Sequence, residues 1–242
     1  MLGAAFREEA VLKTATVSES VAKYGTFLSP LGSEVVDLIG RMLTEGEGPL
    51  AFRVRNPPGS SLRAHFHGVP QFQVFTEGQA MLGRHPVRVG SVHYADGYSP
   101  YGPIMPVDQD WYTYCTLRPF WGRGIHYVPE DIALAKGRRG RSLTAHASAS
   151  DDRQPGLREI LVEADGVSAR EFVGLAGERV PDLHGDGYYV VIDGDLACDG
   201  RLYPFESCIW TTAMDTAELR AGVDGVVAIL LTFARSPGAH EE

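Results

Sequence analysis

The sequence predicts an all-β chain of two antiparallel β-barrels in tandem, with few short helices. Three observations predict it: apolar runs of strand length broken by glycine and proline, scarce helical periodicity, and a duplication at an offset of 116 residues. A chain of 242 residues accommodates two domains of roughly 100–120 residues, each able to bury a core.

The strand runs come first. Residues 51–55, 72–75, 89–94, 111–117, 188–192 and 226–233 are apolar stretches bounded by Gly, Pro, Asp or Asn, and 28 glycines with 15 prolines supply the turns. Helical spacing is confined to residues 33–43 (SEVVDLIGRML), where one short helix is expected. The duplication is the most specific element. Shifted by 116, Phe72-Gln-Val-Phe-Thr-Glu-Gly78 lies over Tyr188-Tyr-Val-Val-Ile-Asp-Gly194, each an apolar strand ending in an acidic residue and a glycine. Under the same shift Ser91 meets Ser207, Tyr94 meets Trp210, Asp108 meets Asp224, and 112–117 covers 228–233. One domain has been copied. The polar stretch RRGRSLTAHASASDDRQP reads as a linker, which divides the chain into 1–137, a linker at 138–155, and 156–242.

Bulk properties exclude several functions. The net charge of −9 opposes nucleic-acid binding, and the basic cluster 136–141 (KGRRGR) reads as a solvated loop. No apolar run approaches the ~18–20 residues of a membrane span. Cys115, Cys198 and Cys208 have no metal or disulfide spacing, and two sit in strand-like runs as small buried hydrophobes. They suit a reducing compartment. Acidic residues in MLGAAFREEAVLK stand where a signal peptide needs an apolar core, so a cytoplasmic location is expected.

Chemistry concentrates in the first copy. In Pro58-Gly-Ser-Ser-Leu-Arg-Ala-His65-Phe-His67-Gly-Val-Pro-Gln71-Phe-Gln73-Val-Phe75-Thr-Glu-Gly78, strand alternation puts His65 and His67 on one face and Phe66 on the other. After the Gly-Val-Pro turn, Gln71, Gln73 and Phe75 share one face, which in a closed barrel is the lumen. Two imidazoles on one inward face are a chelate for a first-row metal.

This stretch resembles the first motif of the cupin superfamily: glycine, His-x-His, three residues, a carboxylate, six residues, glycine. Gln71 stands where that family places its carboxylate. The segment from Gly90 to Tyr101 resembles the second motif in length, with Asp96 at the proline position, Gly97 one residue early, and Tyr101 at the last metal histidine. The resemblance implies a bicupin: a jelly roll of two double-stranded β-helix barrels. It also implies a divalent transition metal (Fe, Mn, Ni, Co or Zn) held by His65, His67 and Gln71, with Tyr101 and Gln73 as candidate catalytic groups. The function it implies is a small-molecule, metal-dependent enzyme such as a dioxygenase or other oxidoreductase, paired as a homodimer. Two alternatives stand beside it. One is a metal-free cupin that binds or senses a small ligand. The other is a metal-free isomerase or epimerase, with His67 and Tyr101 as base and acid.

Other residues carry weaker signals. The second copy keeps one histidine in its corresponding stretch, His184, and no His-x-His, so its site reads as lost. His93 reads as a hydrogen-bonded core or surface histidine, and His85 and His126 as exposed turn residues. Tyr94, Tyr98 and Tyr101 read as an aromatic barrel rim or as substrate-stacking groups. Arg63 and Arg118 read as solvated surface arginines, with an anion clamp as the alternative.

Overall fold

The computed structural model describes residues 13–15, 26–28, 32–38, 48–122, 124–138, 140–215 and 218–234. Its strands are β1 (Lys13–Ala15), β2 (Thr26–Leu28), β3 (Glu34–Asp37), β4 (Leu50–Asn56), β5 (His65–Phe66), β6 (Gln71–Glu77), β7 (Gln79–Leu82), β8 (His85–Arg88), β9 (Ser91–Ala95), β10 (Ile104–Pro106), β11 (Tyr112–Arg118), β12 (His126–Tyr127) and β13 (Ser142–His146). They continue with β14 (Gly156–Val162), β15 (Ser168–Gly174), β16 (Gly187–Cys198), β17 (Arg201–Pro204), β18 (Cys208–Thr211) and β19 (Arg220–Thr232). Two compact units result. One takes the described residues between 17 and 147; the other joins β1 to residues from 148 onward.

In the first unit the main sheet runs β13-β9-β6-β11-β4-β3-β2, with smaller sheets β10-β7-β8 and β12-β5. In the second it runs β1-β18-β16-β19-β15-β14, with β17 on β16. The duplication survives at the level of register. Phe72, Gln73 and Val74 lie opposite Tyr94, His93 and Val92, and Tyr188, Tyr189 and Val190 lie opposite Trp210, Ile209 and Cys208. The ring pairs Phe72–Tyr94 and Tyr188–Trp210 both stand 4.8 Å apart. In the third strand of each copy the equivalence slips by two residues. Val74 faces Cys115 while Val190 faces Ile229, an offset of 114. A slip of two keeps every side chain on its original face, so the barrels tolerate it.

Gly78 and Gly194 mark the same bend in both copies. Each has positive φ (70° and 67°), and a Cβ would collide with the carbonyl oxygen of Trp111 or Gly225 respectively. Glycine is needed there because both the torsion and the close backbone approach exclude a side chain.

Three expectations require correction. Residues 34–37 of the expected helix form β3, paired with β4, and residues 39–43 fall outside the described residues. The β-branched pair Val35-Val36 suits a strand, and the open edge of β4 supplies the partner that overrides local helical spacing. Residues 142–146 of the expected linker form β13 on the edge of β9. A polar, small-residue strand is well suited to an edge, where only one side needs pairing. Finally, β1 pairs with β18 of the second unit, so the expected first domain is not contiguous from residue 1. In its own sheet β1 holds the place that β13 holds beside β9. All three cysteines are buried thiols without disulfides.

Candidate functional site

The first barrel's inner face gathers the site. His65 N–H donates to the Tyr101 carbonyl (3.0 Å) and Tyr101 N–H to the His65 carbonyl (2.9 Å), which locks these two residues side by side. Their rings stand 4.4 Å apart, and the His65 and His67 rings 5.3 Å. Each imidazole is anchored through Nδ1: His65 on the Arg63 carbonyl and His67 on the Gly124 carbonyl, both at 2.7 Å. A carbonyl only accepts, so each Nδ1 carries the hydrogen and each Nε2 keeps its lone pair. That is the arrangement by which proteins orient metal-binding histidines.

The two glutamines are committed elsewhere. Gln71 Oε1 accepts from Arg118 Nε (3.1 Å), and Gln71 Nε2 donates to the Tyr101 hydroxyl. Arg118 also donates to the Gly122 carbonyl (3.1 Å). Gln73 Oε1 accepts from His93 Nδ1 (3.0 Å), which leaves His93 Nε2 to accept from Ser142 Oγ (3.1 Å). The His93 ring lies 4.7 Å from Tyr101. Apolar packing by Phe75, Ala95, Ile104, Tyr112 and Tyr114 closes the lumen around these groups.

Burial sets the protonation states. It lowers His65 to a pKa of about 4 and His93 to about 3, and holds His67 well below its ordinary value; Arg118 pushes His65 and His67 the same way. The imidazoles are therefore neutral at pH 7. Burial also raises the Tyr101 phenol, against the opposing effects of Arg118 and Gln71, so Tyr101 stays protonated.

The buried His93 makes the stability of the fold depend on pH. Its folded pKa lies below the unfolded value, so its contribution to stability is complete above pH 6.5 and is lost as pH falls toward 3. Between pH 7 and pH 5 this one group will cost about 2 kcal/mol. Urea unfolding of metal-free protein at the two pH values measures it. A His93→Gln variant showing the same pH slope would refute the assignment.

The donor set only partly fits the metal that the motif implies. His65 and His67 fit: they are neutral, anchored, and have free lone pairs. Gln71 does not, because its amide oxygen already accepts from a guanidinium. Tyr101 offers no ionised oxygen. Among the described residues no three His, Cys, Asp or Glu side chains gather as a metal site. The pocket thus offers two neutral imidazoles beside the buried Arg118 guanidinium.

Sequence reasoning underweighted one residue, and for His93 it left open the choice between core and surface. Arg118, read as a surface arginine, is only 4% exposed and sits against Gln71. The signal was its place one residue beyond Leu117, which lies opposite Phe72, so Arg118 falls beside Gln71. His93 is fully buried and lies directly opposite Gln73. The tyrosine cluster divides. Tyr94 packs on Phe72, Tyr101 enters the lumen, and Tyr98 lies under Arg138 at 3.8 Å. Arg63 is a surface residue paired with Glu130 at 2.7 Å. His85 is exposed, as expected, while His126 is half-buried and stacks on Phe66 at 5.1 Å.

The second barrel fills the equivalent interior with apolar side chains. Gln73 and His93 correspond to Tyr189 and Ile209, which pack with Val191, Leu196, Ala228 and Leu230 in one core cluster. His184 is exposed.

Two antiparallel barrels related by duplication, with a His-x-His segment at β5 beside one lumen, define the bicupin fold. Solved structures agree on it. Escherichia coli pirin YhhW, in complex with nickel(II), superposes with a TM-score of 0.62 at 8% identity, covering 93% of this chain and 100% of that one. A deletion mutant of Bacillus subtilis oxalate decarboxylase OxdC matches with a TM-score of 0.58 at 14% identity, covering 90% and 76%. AerE from Microcystis aeruginosa matches at 0.56 and 14%, covering 86% and 96%. No protein-family profile and no curated protein sequence matches the chain. Among the described residues no helix is long and apolar enough to cross a membrane.

Proposed function

We propose that the first barrel is the working site of a small-molecule enzyme in which His65 and His67 hold a divalent transition metal and an anionic substrate completes its coordination. The observation that carries this reading is the paired anchoring of both Nδ1 atoms on backbone carbonyls, which presents two neutral Nε2 lone pairs. A metal there would supply Lewis acidity toward the bound substrate. The chain's own residues do the rest. Arg118 is a buried positive charge suited to a carboxylate, and Gln71 holds it in line with Tyr101. Tyr101, kept neutral, retains an O–H for donation to a substrate oxygen. Two histidines with a carboxylate supplied by the substrate reproduce the donor types of the 2-His-1-carboxylate non-haem iron sites. Oxidation of a small acid, as by a dioxygenase, is therefore the first reaction to assay.

The commitment of the Gln71 oxygen to Arg118 favours a second reading, a metal-free pocket that binds or isomerises a small acid. One experiment separates the two. Protein made without a histidine tag is reconstituted anaerobically with Fe(II), Mn, Co, Ni or Zn in the presence of oxalate and analysed by elemental mass spectrometry. The metal reading expects about one ion per chain in the native protein and almost none in His65→Ala/His67→Ala. Equal, negligible metal in both replaces it with the metal-free pocket.

A further inference from the structure

A cleft of about 490 Å³ opens in the first unit between residues 98–100 and the segment 132–142. It takes in Lys136, Arg138 and Gly140 of the basic cluster that reads in sequence as a solvated loop, and its volume falls in the ~300–1,000 Å³ range of small-molecule sites. Its lining has two chemistries. Pro100, Ile132, Ala133 and Ala135 form an apolar wall, while Lys136 and Arg138 bring two cations and no lining residue is acidic. Arg138 is already ordered, its guanidinium 3.8 Å over the Tyr98 ring.

A second observation points independently to a ligand. Ser99 lines the cleft and is only 5% exposed, yet its buried hydroxyl has no hydrogen-bond partner among the described residues. A buried, unsatisfied hydroxyl is costly unless something bonds it. Ser99 Oγ packs directly against Gly140, where a Cβ would collide with it, so glycine is what admits the hydroxyl at this edge of the cleft. The wall is also held under tension. Tyr98 has φ of 63°, a left-handed conformation disfavoured for tyrosine, and its N–H donates to the His67 carbonyl at 2.6 Å. On the other side Ser142 donates its hydroxyl to His93. The cleft is thus bonded to both the His-x-His turn and the lumenal histidine.

We propose that this cleft is a binding site for a small carboxylic acid with an apolar body. The body lies on Ile132, Ala133 and Ala135, and the carboxylate takes Arg138, Lys136 and the Ser99 hydroxyl. The site does not require a metal at His65 and His67.

Calorimetric titration of chelator-treated full-length protein tests it, with octanoate and 3-phenylpropionate as probes and octanamide as the neutral control. Saturable binding of at least one acid is expected, with octanamide and the Lys136→Ala/Arg138→Ala variant each weaker by ~tenfold or more. Ala133→Trp, which fills the cleft from a solvent-exposed position, is expected to abolish binding. If neither acid saturates by about 10 mM, or if the charge-removing variant and the amide bind as tightly as the native protein and the acids, the proposal is overturned.

Discussion

Gly78→Ala and Gly194→Ala will each lower the stability of the protein by about 3–5 kcal/mol, far more than a solvent-facing glycine substitution. Part of the cost is local. Both residues have φ near +70°, where a Cβ meets its own following carbonyl at a cost of ~1–2 kcal/mol. The larger part is the collision with the carbonyl oxygen of Trp111, the residue before β11, or of Gly225 on β19, which pushes the adjoining paired strands apart. Gly59 and Gly200 separate the two costs, because they share the positive φ but a Cβ on either would meet nothing within 4 Å. Their alanine variants will lose only the local contribution. Urea unfolding midpoints of the four variants decide the matter. Equal losses at Gly78 and Gly59 would mean that the close backbone approach has no energetic weight.

Gln71→Glu will raise the affinity of the first barrel for a divalent metal by at least ~tenfold, equivalent to about 1.4 kcal/mol. In the native pocket the buried Arg118 guanidinium bonds the neutral amide of Gln71, and among the described residues no three His, Cys, Asp or Glu side chains gather, so a dication entering it meets a neutral amide where a carboxylate would attract it. A carboxylate at position 71 neutralises Arg118 and adds a hard oxygen donor near the two imidazoles, while Tyr101 can reverse its role and donate to it. Isothermal titration with Mn(II) and Ni(II) measures the change. If the variant binds neither metal more tightly than the native protein, charge compensation is not what limits the site. If neither protein binds metal at all, the metal-free pocket becomes the working description, and Arg118 becomes the group to examine against small acids.

Much of the architecture was legible because β-barrels write a period of two into the chain. Alternation along Gln71, Gln73 and Phe75 correctly placed these residues on the lumenal face, and the repeat at 116 residues matched the β6–β9 pairing residue for residue. The same offset failed by two in the third strand, since a two-residue slip leaves burial unchanged and so leaves no mark in the pattern of apolar residues. Residues 34–37 misled because a short apolar run satisfies helix and strand spacing equally. Which one forms depends on the free edge of β4, a partner distant in sequence. The strand at Ser142–His146 was hidden for a related reason: an edge strand with exposed sides needs no apolar signature.

The all-β class, the duplication, the His-x-His segment and its loss in the second copy were all readable from the chain alone. These are local patterns, written in residue type and spacing. What surrounds the two histidines depends on the folded chain. Arg118 stands 47 positions along the chain from Gln71, and Ser142 stands 49 from His93, yet each pair is hydrogen-bonded. No spacing rule connects residues so far apart. Strand pairing brings them together, and the burial that follows removes water, holds the imidazoles neutral and keeps the tyrosine protonated. The motif brings two imidazoles together, but the charge that stands beside them is set by the fold.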